Sequence, residues 1–306
     1  MSNSGCKEDR SPLFSIVLPT YNREAYIERA IESVLNQSCA AWELIVVDDG
    51  STDATRQVVT AYDDARIRYQ FQRNRGNSRA RNHGIQLARG LYICFLDSDD
   101  QYLEDHLSVL RTHILRRASP VAFFHTLHYK DTNGVRSSRP LRADSRDRIQ
   151  FWSCPHINSV CVHSRILSSM RFNPQLRIHE DAELWGRIAA QYTVHTIPQY
   201  TTVTYRGHAS LTVPSLRLYN GLYKTYTVAF SDPHNVYSHV PDAMQKRMMN
   251  FFQESAIRYA FREKNYREAL RSLLRSPNVL LHLLRRLTPS RAATALIKLA
   301  RSLARQ

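Results

Sequence analysis

The chain has 306 residues, 43% of them hydrophobic, and a formal net charge of +15 at pH 7. That length and apolar share suffice for one large packed domain or two smaller ones and exclude global disorder. The excess of Lys and Arg favours anionic partners (nucleotides, phosphorylated substrates, acidic lipid or nucleic acid) without choosing among them. No apolar stretch approaches the roughly 18 residues that span a bilayer, and residues 1–10 lack the apolar core of a signal peptide. The five cysteines, Cys6, Cys39, Cys94, Cys154 and Cys161, are scattered without a CxxC pair. Neither a disulfide framework nor a zinc site is expected from them, and reduced thiols in a cytoplasmic protein are.

In chain order, residues 14–18 form a buried strand, ended by the turn chemistry of Pro19, Thr20, Tyr21 and Asn22. Ile27, Ala30, Ile31, Val34 and Leu35 recur at helical spacing, which predicts a helix over 24–37. Residues 42–47 are a second buried strand, ending in the acidic run 48–53, and a helix follows with Val58, Val59 and Tyr62 on one face. Residues 67–71 alternate as a third strand. A turn at 74–77 leads to a helix capped by Ser78 and running through Ala88. Residues 92–96 are a fourth apolar strand that runs into Asp97, Ser98, Asp99 and Asp100, and a helix is expected from about 102 to 116.

Beyond this point regularity falls. Strands are expected at 121–129, 158–163 and 192–205, a hairpin turn at 131–134 and a charged exposed loop at 136–148. A helix opens at His179, Glu180 and Asp181. From about 215 the pattern is helical to the end, with breaks at Pro233, Pro241, Pro277 and Pro289. Residues 258–306 carry twelve Lys or Arg against Glu263 and Glu268. Two basic amphipathic stretches there read first as core-plus-surface helices, and second as a peripheral contact with an anionic membrane face.

Strands alternating with helices mean a mostly parallel sheet covered on both faces, and such sheets bind ligands at the carboxyl ends of their strands. Three polar clusters fall at three such ends: 19–22, 48–53 and 97–100. Carboxylates leaving a buried strand repel one another and resist desolvation, and Asp97-x-Asp99 suits a divalent cation completed by a ligand's phosphates. Taken alone, the turn reads equally as a polar cap for the next helix. The chain contains neither G-x-G-x-x-G nor G-x-x-x-x-G-K-[ST], which weakens a dinucleotide oxidoreductase and a P-loop NTPase.

Four stretches, SIVLPTYN at 15–22, IVVDDGSTD at 45–53, NRGNSRARNHG at 74–84 and FLDSDD at 95–100, resemble in order and spacing the family 2 glycosyltransferases. The resemblance covers about residues 13–210. It implies a GT-A, Rossmann-like α/β fold, with a nucleotide-binding half at 13–100 and an acceptor-binding half at 101–214; the residue pattern itself sets a flexible 1–12 before it and a helical basic region at 215–306 after it. It also implies an inverting, non-processive transfer from a nucleotide sugar, with UDP as the expected leaving group, to a glycan or lipid-linked acceptor in cell-surface polysaccharide or glycoconjugate assembly.

Residue by residue, the resemblance lays Pro19, Thr20, Tyr21 and Asn22 along the nucleotide and lets Asp49 accept the base N–H. Arg79 and Arg81 fall in the segment that approaches the nucleotide, and being two apart on a helix at most one reaches a phosphate. Asp97 and Ser98 face the donor, Asp99 and His208 bind Mn2+ or Mg2+, and Asp181 is the general base beside Glu180, which leaves Asp100 as a cap for the next helix. Without the resemblance Glu180 and Asp181 read first as helix N-terminus residues, Asp48 and Asp53 as turn and cap residues, and His208 as a loop histidine.

Two other functions compete. A sugar-phosphate nucleotidyltransferase expects a Gly-rich phosphate loop after the first strand, where this chain has Pro19 to Asn22. A basic nucleic-acid-binding module expects an RNP, OB or zinc-finger signature, and none is found.

Overall fold

The computed structural model describes residues 12–138, 154–206, 214–265 and 267–268. The described chain forms two compact units, the first holding every strand and taking in Pro233–Tyr237, the second holding the last two long helices.

The first unit begins with β1 (Phe14–Thr20), α1 (Ile27–Leu35), β2 (Trp42–Asp48), α2 (Thr55–Thr60), β3 (Ile67–Phe71), α3 (Asn77–Leu87) and β4 (Tyr92–Phe95). Every residue of β1, β2 and β4 is buried, as strands covered on both faces require. The order is β3-β2-β1-β4, all parallel. The chain steps outward from β1 to β2 and β3, then returns to the other side of β1 for β4. The order therefore reverses between β1 and β4, the crevice where open α/β sheets take ligands. Register places Thr20 opposite Asp48 and Val17 opposite Phe95, so the three polar loops leave one edge together.

The second half of the sheet is mixed. It contains β5 (Gln101–Tyr102), α4 (His106–Leu115), β6 (Phe123–Thr132), β7 (Val135–Ser138), a 3-10 turn (Ile157–Ser159), β8 (Val160–His163), α5 (Ser164–Ser169), α6 (Glu180–Gln191) and β9 (Val194–Arg206). β8 is antiparallel to both β4 and β6, β9 is parallel to β6, and β5 and β7 add antiparallel pairs. The parallel expectation applies to residues 14–95, where short helical crossovers join the strands. Beyond β4 it fails, because β8 pairs antiparallel with β4 and β6 turns back into β7 at the Asn133–Gly134 hairpin foreseen from sequence.

Three boundaries differ from the periodicity. Helix α1 starts at Ile27 rather than 24, because residues 22–24 give their backbone N–H groups to Ser51, Thr55 and Asp53. Gly76, at φ +90°, precedes α3 in place of Ser78, whose hydroxyl lies inside the helix and donates to the Leu176 carbonyl. Tyr102 is a strand residue opposite Thr202, and its hydroxyl donates to the Phe95 carbonyl at 2.6 Å. Burying that ring fixes an extended segment ahead of α4.

In the second unit α7 (Leu216–Ser231) packs on α8 (Asp242–Arg262), with Tyr226 stacked on Phe252 at 5.6 Å and Leu216 against Ala256 and Ala260. The Ser215 hydroxyl caps α7 by accepting from Leu218 N–H at 3.1 Å. No described helix is long and apolar enough to cross a membrane. Of the loop expected at 136–148, residues 136–138 are instead part of strand β7, paired with β6, and the remainder lies outside the described residues, as do the basic stretches beyond 268.

One close approach pins β1 to the entry of β4. Gly90 donates its N–H to the Ser15 hydroxyl at 2.8 Å, and a Cβ there would lie 2.5 Å from the Ser15 nitrogen and 2.7 Å from the Phe14 carbonyl carbon. Backbone cannot yield as a flexible side chain does. Gly90→Ala is expected to lower stability by about 1 to 3 kcal/mol, read as a lower urea midpoint at unchanged slope; an unchanged midpoint would show that this junction is not tightly packed.

Candidate active site

The loops after β1 and β2 are tied into one surface. Asn22 sits in the left-handed region at φ 49°, and its side-chain oxygen accepts from Thr52 N–H at 2.8 Å while its own N–H reaches the Ser51 hydroxyl at 2.9 Å. Asp48 is buried and accepts from Ser51 N–H and the Tyr69 hydroxyl, both at 2.7 Å. Burial and this carboxylate push the Tyr69 phenol upward. Asp53 accepts from Thr55 N–H at 3.0 Å and from Glu24 N–H, joining the start of α2 to the loop before α1. Burial would raise its pKa, but those hydrogen bonds carry it below the ordinary value. Asp48 and Asp53 thus occupy turn and cap positions.

Asp49 is almost fully buried, and its carboxylate accepts from Gln72 Nε2, Arg75 N–H and Gly76 N–H at 2.7 to 2.9 Å. A carboxylate has about four acceptor sites, so any base contact shares it with three donors from the loop between β3 and α3. Pro19 and Thr20 close β1. The Thr20 hydroxyl is buried with no partner among the described residues, and Tyr21 beyond it is exposed.

The turn after β4 divides its carboxylates by environment. Asp100, expected to cap a helix, is instead buried, bonded to Asn158 Nδ2 at 2.5 Å and to Tyr205 N–H at 2.8 Å. Burial, then the charges of Asp97 and Asp99, raise its carboxyl well above the usual range against those two hydrogen bonds. Asn158 also accepts from Asp97 N–H at 2.8 Å, so one side chain clamps both ends of the turn. Ser98 is buried between them, whereas Asp97 and Asp99 keep partly exposed side chains. Asp99 lies 3.9 Å from Arg23 Nε, and its carbonyl accepts from Arg29 Nη2 at 2.5 Å. The Arg29 guanidinium in turn lies 3.7 Å above the Tyr205 ring.

Arg81 joins this turn to the acidic pair of α6. One guanidinium nitrogen bonds Asp97 Oδ1 and the other Glu180 Oε1, each at 2.7 Å. Burial alone would pull the guanidinium down, but Asp97, Glu180 and then Asp181 outweigh it and raise it. Burial lifts the Glu180 carboxyl above its ordinary value, Arg81 opposes and Asp181 adds. His179, left-handed at φ 53°, turns the chain so that Glu180 faces Arg81 as α6 starts. Asp181 is half-buried, and one of its oxygens accepts from Ala182 N–H at 2.8 Å. The other oxygen has no hydrogen-bond partner among the described residues.

Asp97 and Glu180 therefore meet at one guanidinium, with the charge of Asp181 felt there as well, and Ser98 and Asp99 follow Asp97 in the same turn. Asp49 and Asn22 organise the adjoining strand ends. Arg79, on the opposite side of α3 from Arg81, is exposed and lines a separate groove. His208 lies outside the described residues. Sequence reasoning missed Asn158, Arg29 and Tyr205. Asn158 sits in a strand-like run and Arg29 on the polar face of a helix, and neither pattern signals a partner some 60 to 100 residues away.

Partly exposed carboxylate oxygens are the hard donors that Mg2+ or Mn2+ takes. Among the described residues no three His, Cys, Asp or Glu converge as a complete ligand set. A cation here would find its hard donors in Asp97 and Asp99 and would need a ligand's oxygens to finish its shell.

Removing the Arg81 guanidinium would leave Asp97 and Glu180 facing each other without a counter-charge. Arg81→Ala is expected to cost about 3 to 5 kcal/mol, measured by chemical denaturation, and Arg81→Lys should recover only part because it cannot reach both carboxylates in the same fork. A loss within error of zero would show that the bridge is not a structural tie.

Comparison with known proteins sets this geometry in a family. The sequence model of glycosyl transferase family 2 matches residues 15–171. WcaA of Escherichia coli (strain K12), named for a glycosyl transferase step in colanic acid biosynthesis, is 33% identical over 214 residues, covering 67% of this chain and 76% of WcaA. Two further curated relatives, each 41% identical, are matched over 46% and 48% of their own length. Among solved structures, S. aureus TarS (1–349) in complex with UDP-GlcNAc shares the fold with a TM-score of 0.59 at 18% identity, over 80% of this chain and 73% of TarS. The mannosyltransferase PcManGT from Pyrobaculum calidifontis, in complex with GDP-Man and Mn2+, also gives a TM-score of 0.59, at 17% identity, over 97% of this chain and 82% of its own. A match across half the chain, on the very segments that build these strand ends, makes this protein a family 2 glycosyltransferase of GT-A fold.

Proposed function

We propose that the chain transfers a sugar, with inversion, from a UDP-sugar to an acceptor hydroxyl in the assembly of a cell-surface polysaccharide or glycoconjugate. The observation that carries this reading is the double salt bridge of Arg81, which holds the carboxylate turn after β4 and the acidic start of α6 as one site. WcaA's printed role supports the polysaccharide context. TarS with UDP-GlcNAc supports a uridine donor, while PcManGT with GDP-Man shows that the same fold takes another base.

On this reading the nucleotide lies along Pro19, Thr20, Tyr21 and Asn22, whose unpartnered Thr20 hydroxyl is available to it. The remaining acceptor site of Asp49 takes the base N–H, Asp97 and Ser98 face the ribose side, and Asp99 and His208 are the residues that would hold Mn2+ or Mg2+. A bound divalent cation would supply charge neutralisation for the departing diphosphate.

Asp181 accepts the proton from the acceptor hydroxyl as its oxygen bonds to the anomeric carbon. The bond from that carbon to the diphosphate oxygen breaks with its electron pair leaving on the diphosphate. One displacement inverts the centre and forms no covalent enzyme intermediate. Glu180 does not take the proton; Arg81 engages it and it positions the start of α6.

A screen of nucleotide sugars with manganese or magnesium, scored by free UDP, identifies the donor. Asp99→Ala is expected to abolish metal-dependent UDP binding in calorimetry; wild-type affinity with manganese would remove Asp99 as the metal ligand. Asp181→Asn is expected to keep UDP binding and lower transfer by at least 100-fold, and near-normal turnover would exclude it as the base.

A further inference from the structure

Apart from the carboxylate centre, the first unit has a concave surface of about 500 Å³ whose lining contains no acidic side chain. It lies between the loop after β3, the outer face of α3 and Pro174, and three of its lining residues are Arg73, Arg75 and Arg79. All three side chains are exposed, and none forms an ion pair among the described residues. Several other arginines of this unit do find carboxylates: Arg66 pairs with Asp64, Arg68 with Glu43 and Arg187 with Glu183, at 2.6 to 2.9 Å. Three unpaired cations around one hollow repel one another and create a focused positive potential.

The backbone beneath them is pinned. Arg75 and Gly76 give their N–H groups to Asp49, and Gln72 bridges Asp49 and His83 at 2.7 and 2.9 Å. The Asn82 amide fixes the back wall through both the N–H and the carbonyl of Phe172. Arg73 and Arg75 are therefore carried on a loop whose backbone is already fixed before any ligand arrives, and Arg79 on the first turn of α3. Planar forks of this kind match phosphate oxygens two at a time. The groove offers no carboxylate for a cation, so it suits an anion bound without metal. This separates it chemically from Asp97 and Asp99.

We propose that this groove is a second anion site, which takes a diphosphate group without metal. It does not depend on the transferase reading above, in which the donor's own diphosphate lies at Asp97 and Asp99.

The test is metal-free calorimetry with inorganic pyrophosphate, with and without excess UDP, on the full chain and on Arg73→Glu/Arg75→Glu. Pyrophosphate should bind the wild type whether or not UDP is present and bind the charge-reversed variant at least tenfold more weakly. Arg73→Lys/Arg75→Lys should fall between them. In a parallel titration with manganese, the charge-reversed variant should still bind UDP, which shows that it folds. Equal pyrophosphate affinity in wild type and charge-reversed variant, or full displacement of pyrophosphate by UDP, would overturn the proposal. So would a variant that loses flotation with phosphatidylglycerol vesicles yet keeps pyrophosphate binding, since the groove would then serve a membrane surface. Failure of the wild type to bind UDP with manganese would count against the donor reading and leave the pyrophosphate result to decide the groove.

Discussion

The candidate site depends on one buried guanidinium. Arg81 comes from α3, Asp97 from the end of β4 and Glu180 from the first turn of α6, and both bonds are 2.7 Å long. Burying Arg81 and Glu180 and partly burying Asp97 is costly, and the arrangement is tolerable because a fork of N–H donors meets two carboxylates at once. A buried bridge of this type adds little net stability over an apolar packing of the same volume. What it adds is position: it sets the turn that carries Asp99 at a defined place relative to the helix that carries Asp181.

The sheet supplies the rest of that constraint. Because β1 lies between β2 and β4, its carboxyl end is flanked by two loops, and the reversal of strand order leaves a crevice there. The loops are stitched together by side chains, not by regular structure: Asn22 to the loop after β2, Asp49 to the loop after β3, and Asn158 across the carboxylate turn. Each stitch satisfies backbone N–H groups that would otherwise face one another in a strand-end turn.

Charge is sorted by the same geometry. Four neighbouring acids after β4 and at α6 have three distinct environments. Asp100 is buried and pushed toward its neutral form, Glu180 is buried but countered by Arg81, and Asp97 and Asp99 retain partial exposure. Only the partly exposed ones remain suited to a cation. On the outer face of α3 the opposite sorting holds, with Arg73, Arg75 and Arg79 gathered around a hollow free of acids.

The sequence by itself determined the α/β class, the parallel half of the sheet, the three polar strand ends and the family to which their motifs belong. These are local properties: hydrophobic period, turn residues and the order of short motifs survive in one dimension. Tertiary structure decided the mixed second half, because strand pairing between β4 and β8 or β6 and β9 has no sequence period of its own. It also decided that Asp100 is clamped by Asn158 and Tyr205 instead of capping a helix, and that Arg81 ties the turn after β4 to Glu180. These partners lie 58, 105 and 99 positions apart, and distance along the chain carries no record of such contacts.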